Sequence, residues 1–123
     1  MKLESEVTLE FRKALLRKMA YAVKIVQFGG KMEKGIPDLL VCWNSKFVGI
    51  EMKMRVGNKL DYSDHQKNHL RRIRQANGYA VGVAYDRNTG LYALDLLTNG
   101  ETAHLVWYDL AKVLELMQEL MKL

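Results

Sequence analysis

The chain has 123 residues, 49% of them hydrophobic and 27% charged, with one proline and nine glycines. That is the composition of one globular domain spanning residues 1–123, with enough apolar residues for a real core, and it excludes a low-complexity linker. The formal charge of +5 and a pI of about 9.4 point to a polyanionic partner, nucleic acid ahead of membrane, with a merely soluble basic protein as the alternative.

The opening Met1-Lys2-Leu3-Glu4-Ser5-Glu6 is too acidic for a signal peptide, and no apolar run approaches membrane-spanning length. A cytoplasmic protein is therefore expected. Residues 4–20 read as a helix, because Val7, Phe11, Ala14, Leu15 and Met19 recur at helical spacing. Residues 22–28 read as a strand ended by Gly29-Gly30, and a basic loop follows over residues 31–35. Leu39 to Trp43 and Phe47 to Ile50 are apolar runs joined by the turn signal Asn44-Ser45, which makes a hairpin. Neither run alternates with polar residues, so both faces of the hairpin are expected to be covered, with Cys42 buried and inert. As the single cysteine, Cys42 has no second thiol for a disulfide or a zinc site.

Residues 54–62 are a polar loop. Ser63 and Gln66 have capping-box spacing at the head of a helix that runs to about Ala76 and is stopped by Asn77-Gly78. Tyr79 to Tyr85 is the next strand. A strand, helix, strand succession implies a right-handed crossover between parallel strands. A turn over residues 86–90 leads to a strand over 91–97, and Asp109 is placed to cap a final helix. The stripe Leu110, Val113, Leu114, Met117, Leu120 and Met121 belongs to the core in the first reading and to a dimer contact in the second. The fold class is α/β, a mixed central β-sheet flanked by α-helices.

The hairpin carries the chemistry. With Asn44-Ser45 as its loop, Asp38 lies directly across from Glu51, and Lys53 points to the same face two residues on. A register shift of one residue would separate the two carboxylates. That face also carries Leu40, Cys42, Phe47 and Gly49, which are not solvent-facing choices. Converging carboxylates in such surroundings need a counter-charge or a proton. A divalent cation supplies the charge, and an oxygen-only donor set suits Mg²⁺ or Mn²⁺. With a lysine alongside, the set matches phosphodiester hydrolysis. From spacing alone, an ion pair at a strand end is an equal reading.

Gly35-Ile36-Pro37-Asp38 followed by Gly49-Ile50-Glu51-Met52-Lys53 resembles the PD-(D/E)XK nuclease superfamily, and more narrowly its VRR-NUC (virus-type replication and repair nuclease) family. The likeness runs from about residue 4 to residue 85 and includes the helix start Ser63-Asp64-His65-Gln66. It implies a restriction-endonuclease-like core. It also implies Asp38, Glu51, the Met52 carbonyl and Glu4 as metal ligands, Lys53 as the catalytic lysine, and Gln66 touching the site. Residues 4, 7, 11 and 15 share a helix face, which favours Glu4 over its rivals Glu6 and Glu10. A pure capping role is the alternative for Gln66.

Lys31, Lys34, Arg55 and Lys59 flank the motif and are the expected phosphate contacts. His65 and His69 have the i, i+4 spacing of a metal pair but no acid in the proteolytic pattern, and are expected to be exposed. The expected activity is metal-dependent DNA cleavage. A chain this short has little room for sequence readout, so structure-selective cutting of branched DNA is expected, by a homodimer and with no organic cofactor. A restriction or nicking nuclease and a silent nucleic-acid-binding domain are the alternatives.

Overall fold

A computed structural model describes residues 2–25 and 34–123. In chain order they form α1 (Glu4–Arg17), β1 (Tyr21–Lys24), β2 (Leu39–Trp43), β3 (Lys46–Met54), α2 (Asp64–Gln75), β4 (Tyr79–Asp86), β5 (Leu91–Asp95), β6 (Trp107–Tyr108) and α3 (Leu110–Met121). The strands make one sheet in the order β1-β2-β3-β4-β5-β6. Every neighbouring pair is antiparallel except β3 and β4, which are parallel and joined through α2. The mixed α/β architecture is the expected one.

The β2–β3 hairpin has the expected register. Asn44 and Ser45 have φ of 50° and 69°. Positive φ at both turn positions matches the right-handed twist of the flanking strands. The pairs run from Trp43 opposite Lys46 to Leu39 opposite Ile50, so Asp38 and Glu51 follow as the next positions along.

Side chains alternate across this sheet and divide the core in two. Leu39, Val41, Trp43, Val48, Ile50 and Met52 face one way and pack under α1 and α3. Helix α1 contributes Val7, Phe11, Ala14 and Leu15, and α3 contributes Val113, Leu114, Met117 and Met121. The opposite face holds a smaller cluster in which Leu70 of α2 meets Ala80 and Ala84 of β4 and Ala93 of β5, with Leu60 and Tyr62 from the loop before α2.

Several expectations are corrected. Cys42 is exposed and Phe47 is 45% exposed, because α2 lies over β3 and β4 and leaves the far end of the hairpin open on that face. Leu120 is also exposed, while the rest of its stripe is wholly or partly buried. Helix α1 stops at Arg17, since Met19 turns to a φ of 65°. Strand β5 stops at Asp95, whose carboxylate accepts the Thr98 backbone N–H and turns the chain. Strand β6 was not foreseen. Of the strand expected over 22–28, residues 26–28 lie outside the described residues, as does the basic loop up to residue 33. Among the described residues no helix is long and apolar enough to cross a membrane.

Candidate active site

Three segments meet at one end of the β2–β3 hairpin, on the α2 side of the sheet. The first is Gly35 to Asp38. Gly35 has a φ of +82°, and a Cβ there would sit 2.4 Å from the carbonyl carbon of His65. Only glycine lets this loop press against the first turn of α2. Asp38 follows, half-buried, with its carbonyl accepting from Ile25 N–H at 2.8 Å. Its carboxylate Oδ2 accepts the Met52 N–H, also at 2.8 Å. The aspartate therefore reaches across the hairpin to the backbone between Glu51 and Lys53.

The second segment is the end of β3. Glu51 is only 3% exposed. Its Oε2 lies 3.8 Å from Lys53 Nζ, whose side chain is 14% exposed. The third is the head of α2. Gln66 Nε2 donates to Glu51 Oε2, and Gln66 Oε1 accepts from Lys53 Nζ, both at 2.8 Å. The same Oε1 accepts Ser63 N–H at 2.9 Å, while Ser63 Oγ accepts Gln66 N–H at 3.1 Å. Gln66 is thus both the capping-box residue and the link between the acid and the lysine.

Charge is unbalanced here. The Glu51 carboxyl is pushed up to about 8, first by burial and next by the charge of Asp38, with Lys53 pulling the other way. Asp38 is raised too, chiefly by burial, while the Met52 N–H and Lys53 hold it down. Lys53, with a smaller contribution from Lys24 at Asp38, does not offset the burial of the two carboxyls, so a further cation or a proton is favoured here. Asp38, Glu51 and neighbouring backbone carbonyls are hard oxygen donors of the kind Mg²⁺ or Mn²⁺ takes. The chemistry of this donor set fits a divalent ion.

The other expected residues stand apart. Glu4 is exposed at the start of α1, and among the described residues no hydrogen bond or ion pair ties its carboxylate to this cluster. Its helix lies on the opposite face of the sheet, so sharing a phase with Val7, Phe11 and Leu15 directs it elsewhere. Among the described residues no group of three or more His, Cys, Asp or Glu could hold a metal. Lys31 lies outside the described residues, and Lys34 is exposed. The Arg55 donors are occupied by the Gly57 carbonyl at 2.8 Å, Asp86 at 3.5 Å and Asn58 at 3.4 Å, and its guanidinium lies 5.2 Å from the Trp107 ring centroid. Lys59 is exposed and, with Lys67 of α2, lines an open groove beside Tyr62. His65 is exposed; His69 is half-buried and has a partner.

Sequence reasoning missed a second layer. The Tyr62 ring lies beneath Lys53, with Nζ 5.4 Å from its centroid. Its hydroxyl donates to Asp95 Oδ2 at 2.8 Å. Two signals could have found it. Gly82 interrupts an apolar strand, which marks a close approach, and Asp95 is an acid within an apolar run.

The six-stranded mixed sheet and its flanking helices make a fold of the restriction-endonuclease-like type. The chain is similar to the solved structure of Hjc, a Holliday junction resolvase from the archaeal hyperthermophile Archaeoglobus fulgidus, with a TM-score of 0.62 over 90% of this chain and 92% of that one at 15% identity. I-Ssp6803I, a bacterial homing endonuclease, matches with a TM-score of 0.47 over 89% of this chain and 75% of that one at 14% identity. No family model matches the sequence, and no curated protein matches it either.

Proposed function

We propose that the chain is a divalent-metal-dependent nuclease of the PD-(D/E)XK type, VRR-NUC-like, that hydrolyses DNA phosphodiester bonds. The observation that carries this reading is the meeting of Asp38 with Glu51 and Lys53 at one end of the hairpin, Gln66 bridging the last two, with two buried or half-buried carboxyls both raised. The likeness of the fold to a junction resolvase supports it. Asp38, Glu51 and the Met52 carbonyl would hold Mg²⁺ or Mn²⁺, which when bound supplies positive charge and Lewis acidity at the phosphate.

The protein's own groups then have defined tasks. Lys53 Nζ orients the attacking water and stabilises charge on the phosphate oxygens. Gln66 holds that ammonium against Glu51, so the lysine does not collapse fully onto the carboxylate. Lys34, Lys59 and Lys67 attract the phosphate backbone. The substrate is branched or junction DNA, cut by a homodimer in the cytoplasm, since junctions have pseudo-twofold symmetry.

The test is cleavage of linear, nicked and four-way DNA with Mg²⁺ or Mn²⁺. Asp38→Ala and Lys53→Ala are expected to lower kcat by about a hundredfold or more while the proteins stay folded. Undiminished cleavage by either purified variant overturns the assignment. DNA binding without cleavage, indifferent to divalent ions, would instead make the chain a silent binding domain. Sedimentation of the complex with a four-way junction tests the dimer, and a strict monomer rejects it.

A further inference from the structure

The register of the sheet places Glu51 beside Gly82 and Gly82 beside Asp95, a row running across β3, β4 and β5. The middle position of that row has no side chain, and Tyr62 occupies the space. A Cβ on Gly82 would lie 1.8 Å from the Tyr62 hydroxyl oxygen and 2.9 Å from Cζ. Tyr62 therefore bridges from the lysine on one side to Asp95 on the other. Asp95 is fully buried. Burying a carboxylate is costly unless its oxygens are bonded. Here Oδ2 takes the Tyr62 hydroxyl at 2.8 Å, and Oδ1 takes Thr98 N–H at 3.0 Å and lies 3.1 Å from His104 Nε2. A buried acid with that many partners fixes whatever it holds.

What it holds is an aromatic face against a cation. Lysine carries a long flexible stem, and confining its ammonium to one spot costs rotamer entropy. Lys53 Nζ has Gln66 Oε1 at 2.8 Å, Glu51 Oε2 at 3.8 Å and the Tyr62 ring centroid at 5.4 Å. A cation over an aromatic face in a desolvated site is attracted by the ring quadrupole. Tyr62 is 6% exposed, so the ring is a wall of the site and offers no stacking surface to a base.

We propose that Tyr62, wedged over Gly82 and anchored by Asp95, is a positioning residue that confines the Lys53 ammonium for catalysis, an inference that rests on the nuclease reading. A tyrosine serving stability alone would affect folding and leave the lysine's placement and kcat untouched.

Two substitutions and one spectrum separate these. Tyr62→Leu keeps apolar volume and removes the ring. It is expected to lower kcat about tenfold with KM for DNA unchanged. Tyr62→Phe keeps the ring and leaves an Asp95 oxygen unpaired. It is expected to lose thermal stability but keep kcat within about threefold of the wild type. Unchanged kcat in folded Tyr62→Leu, equal losses of kcat in both variants, or an effect confined to KM overturns the proposal.

In lysine-labelled wild-type protein, assigned with Lys53→Ala, the Lys53 Cε methylene signal is expected to shift upfield by the ring current. Tyr62→Phe retains that shift and Tyr62→Leu loses it. Its absence in the wild type overturns the proposal whether or not Tyr62→Leu folds. A shifted methylene in a protein that cuts no DNA with either metal overturns the nuclease reading itself.

Discussion

Glu51 shows how one residue couples burial to chemistry. Its carboxyl is pushed from an ordinary value of 4.5 to about 8 by burial and by Asp38. Between those values the folded protein holds a proton that the unfolded chain has released. The stability from this group is complete below about pH 4.5 and is lost as pH rises through 8. Asp38, also raised, acts in the same direction. The Tm of the metal-free protein is therefore expected to fall between pH 5 and pH 8.5, and Glu51→Gln should flatten that slope. A divalent ion competes with the proton, so Mg²⁺ or Mn²⁺ should raise Tm more at pH 8 than at pH 5.5. Thermal scans across this grid check it, and a metal-independent Tm at pH 8 would count against the metal site. Asp38, Glu51 and Lys53 were legible because a hairpin with period two and a two-residue turn fixes which side chains share a face. Glu4 was implied by the family resemblance and favoured over Glu6 and Glu10 by helix phase, but phase says nothing about which side of the sheet a helix occupies.

At the scale of the element, α2 sets the site. Its capping box ends with Gln66, so the residues that start the helix also aim the amide at Glu51 and Lys53. Ser63→Ala is expected to cost about 1 kcal/mol of stability. It should also lower kcat, because Gln66 loses the partner that orients its backbone. Chemical denaturation beside single-turnover cleavage measures both, and a stability loss with no kinetic change would separate cap from site. Gly35→Ala faces a harder constraint, with a φ of +82° and backbone 2.4 Å from the added carbon. It is expected to destabilise by about 2 kcal/mol or more, by driving the loop off α2. The capping spacing was readable from the sequence, but the pressing of Gly35 on α2 was not, because it depends on where a helix nearly thirty residues further along comes to rest. Strand β6 escaped notice for a similar reason. Two residues, Trp107 and Tyr108, carry no periodicity, and they form a strand only because the edge of β5 is there to pair with.

For the whole molecule, the sheet separates tasks between its faces. Helices α1 and α3 bury the larger apolar cluster on one side, while α2, the Asp38–Glu51–Lys53 cluster and the groove lined by Lys59 and Lys67 share the other. With a formal charge of +5, DNA affinity should fall steeply with salt. The double variant Lys59→Glu and Lys67→Glu is expected to weaken binding at every DNA sequence and to flatten the salt slope by about one unit per lost phosphate contact. Binding isotherms between low and moderate salt check this, and an unchanged slope would move the DNA elsewhere on the surface. Arg55 was an equally plausible phosphate ligand by position, yet its guanidinium is taken up by Gly57, Asn58 and Asp86.

Local rules decided the helices, the longer strands and the meeting of Asp38 with Glu51, because periodicity, caps and a tight turn act over a few residues. The covering of each face, the exposure of Cys42, the absence of Glu4 from the cluster and the Tyr62–Asp95 support beneath Lys53 were decided only by tertiary packing. Each depends on which helix lies over which strands, and on a vacancy at Gly82 that acquires meaning when a tyrosine twenty residues away fills it.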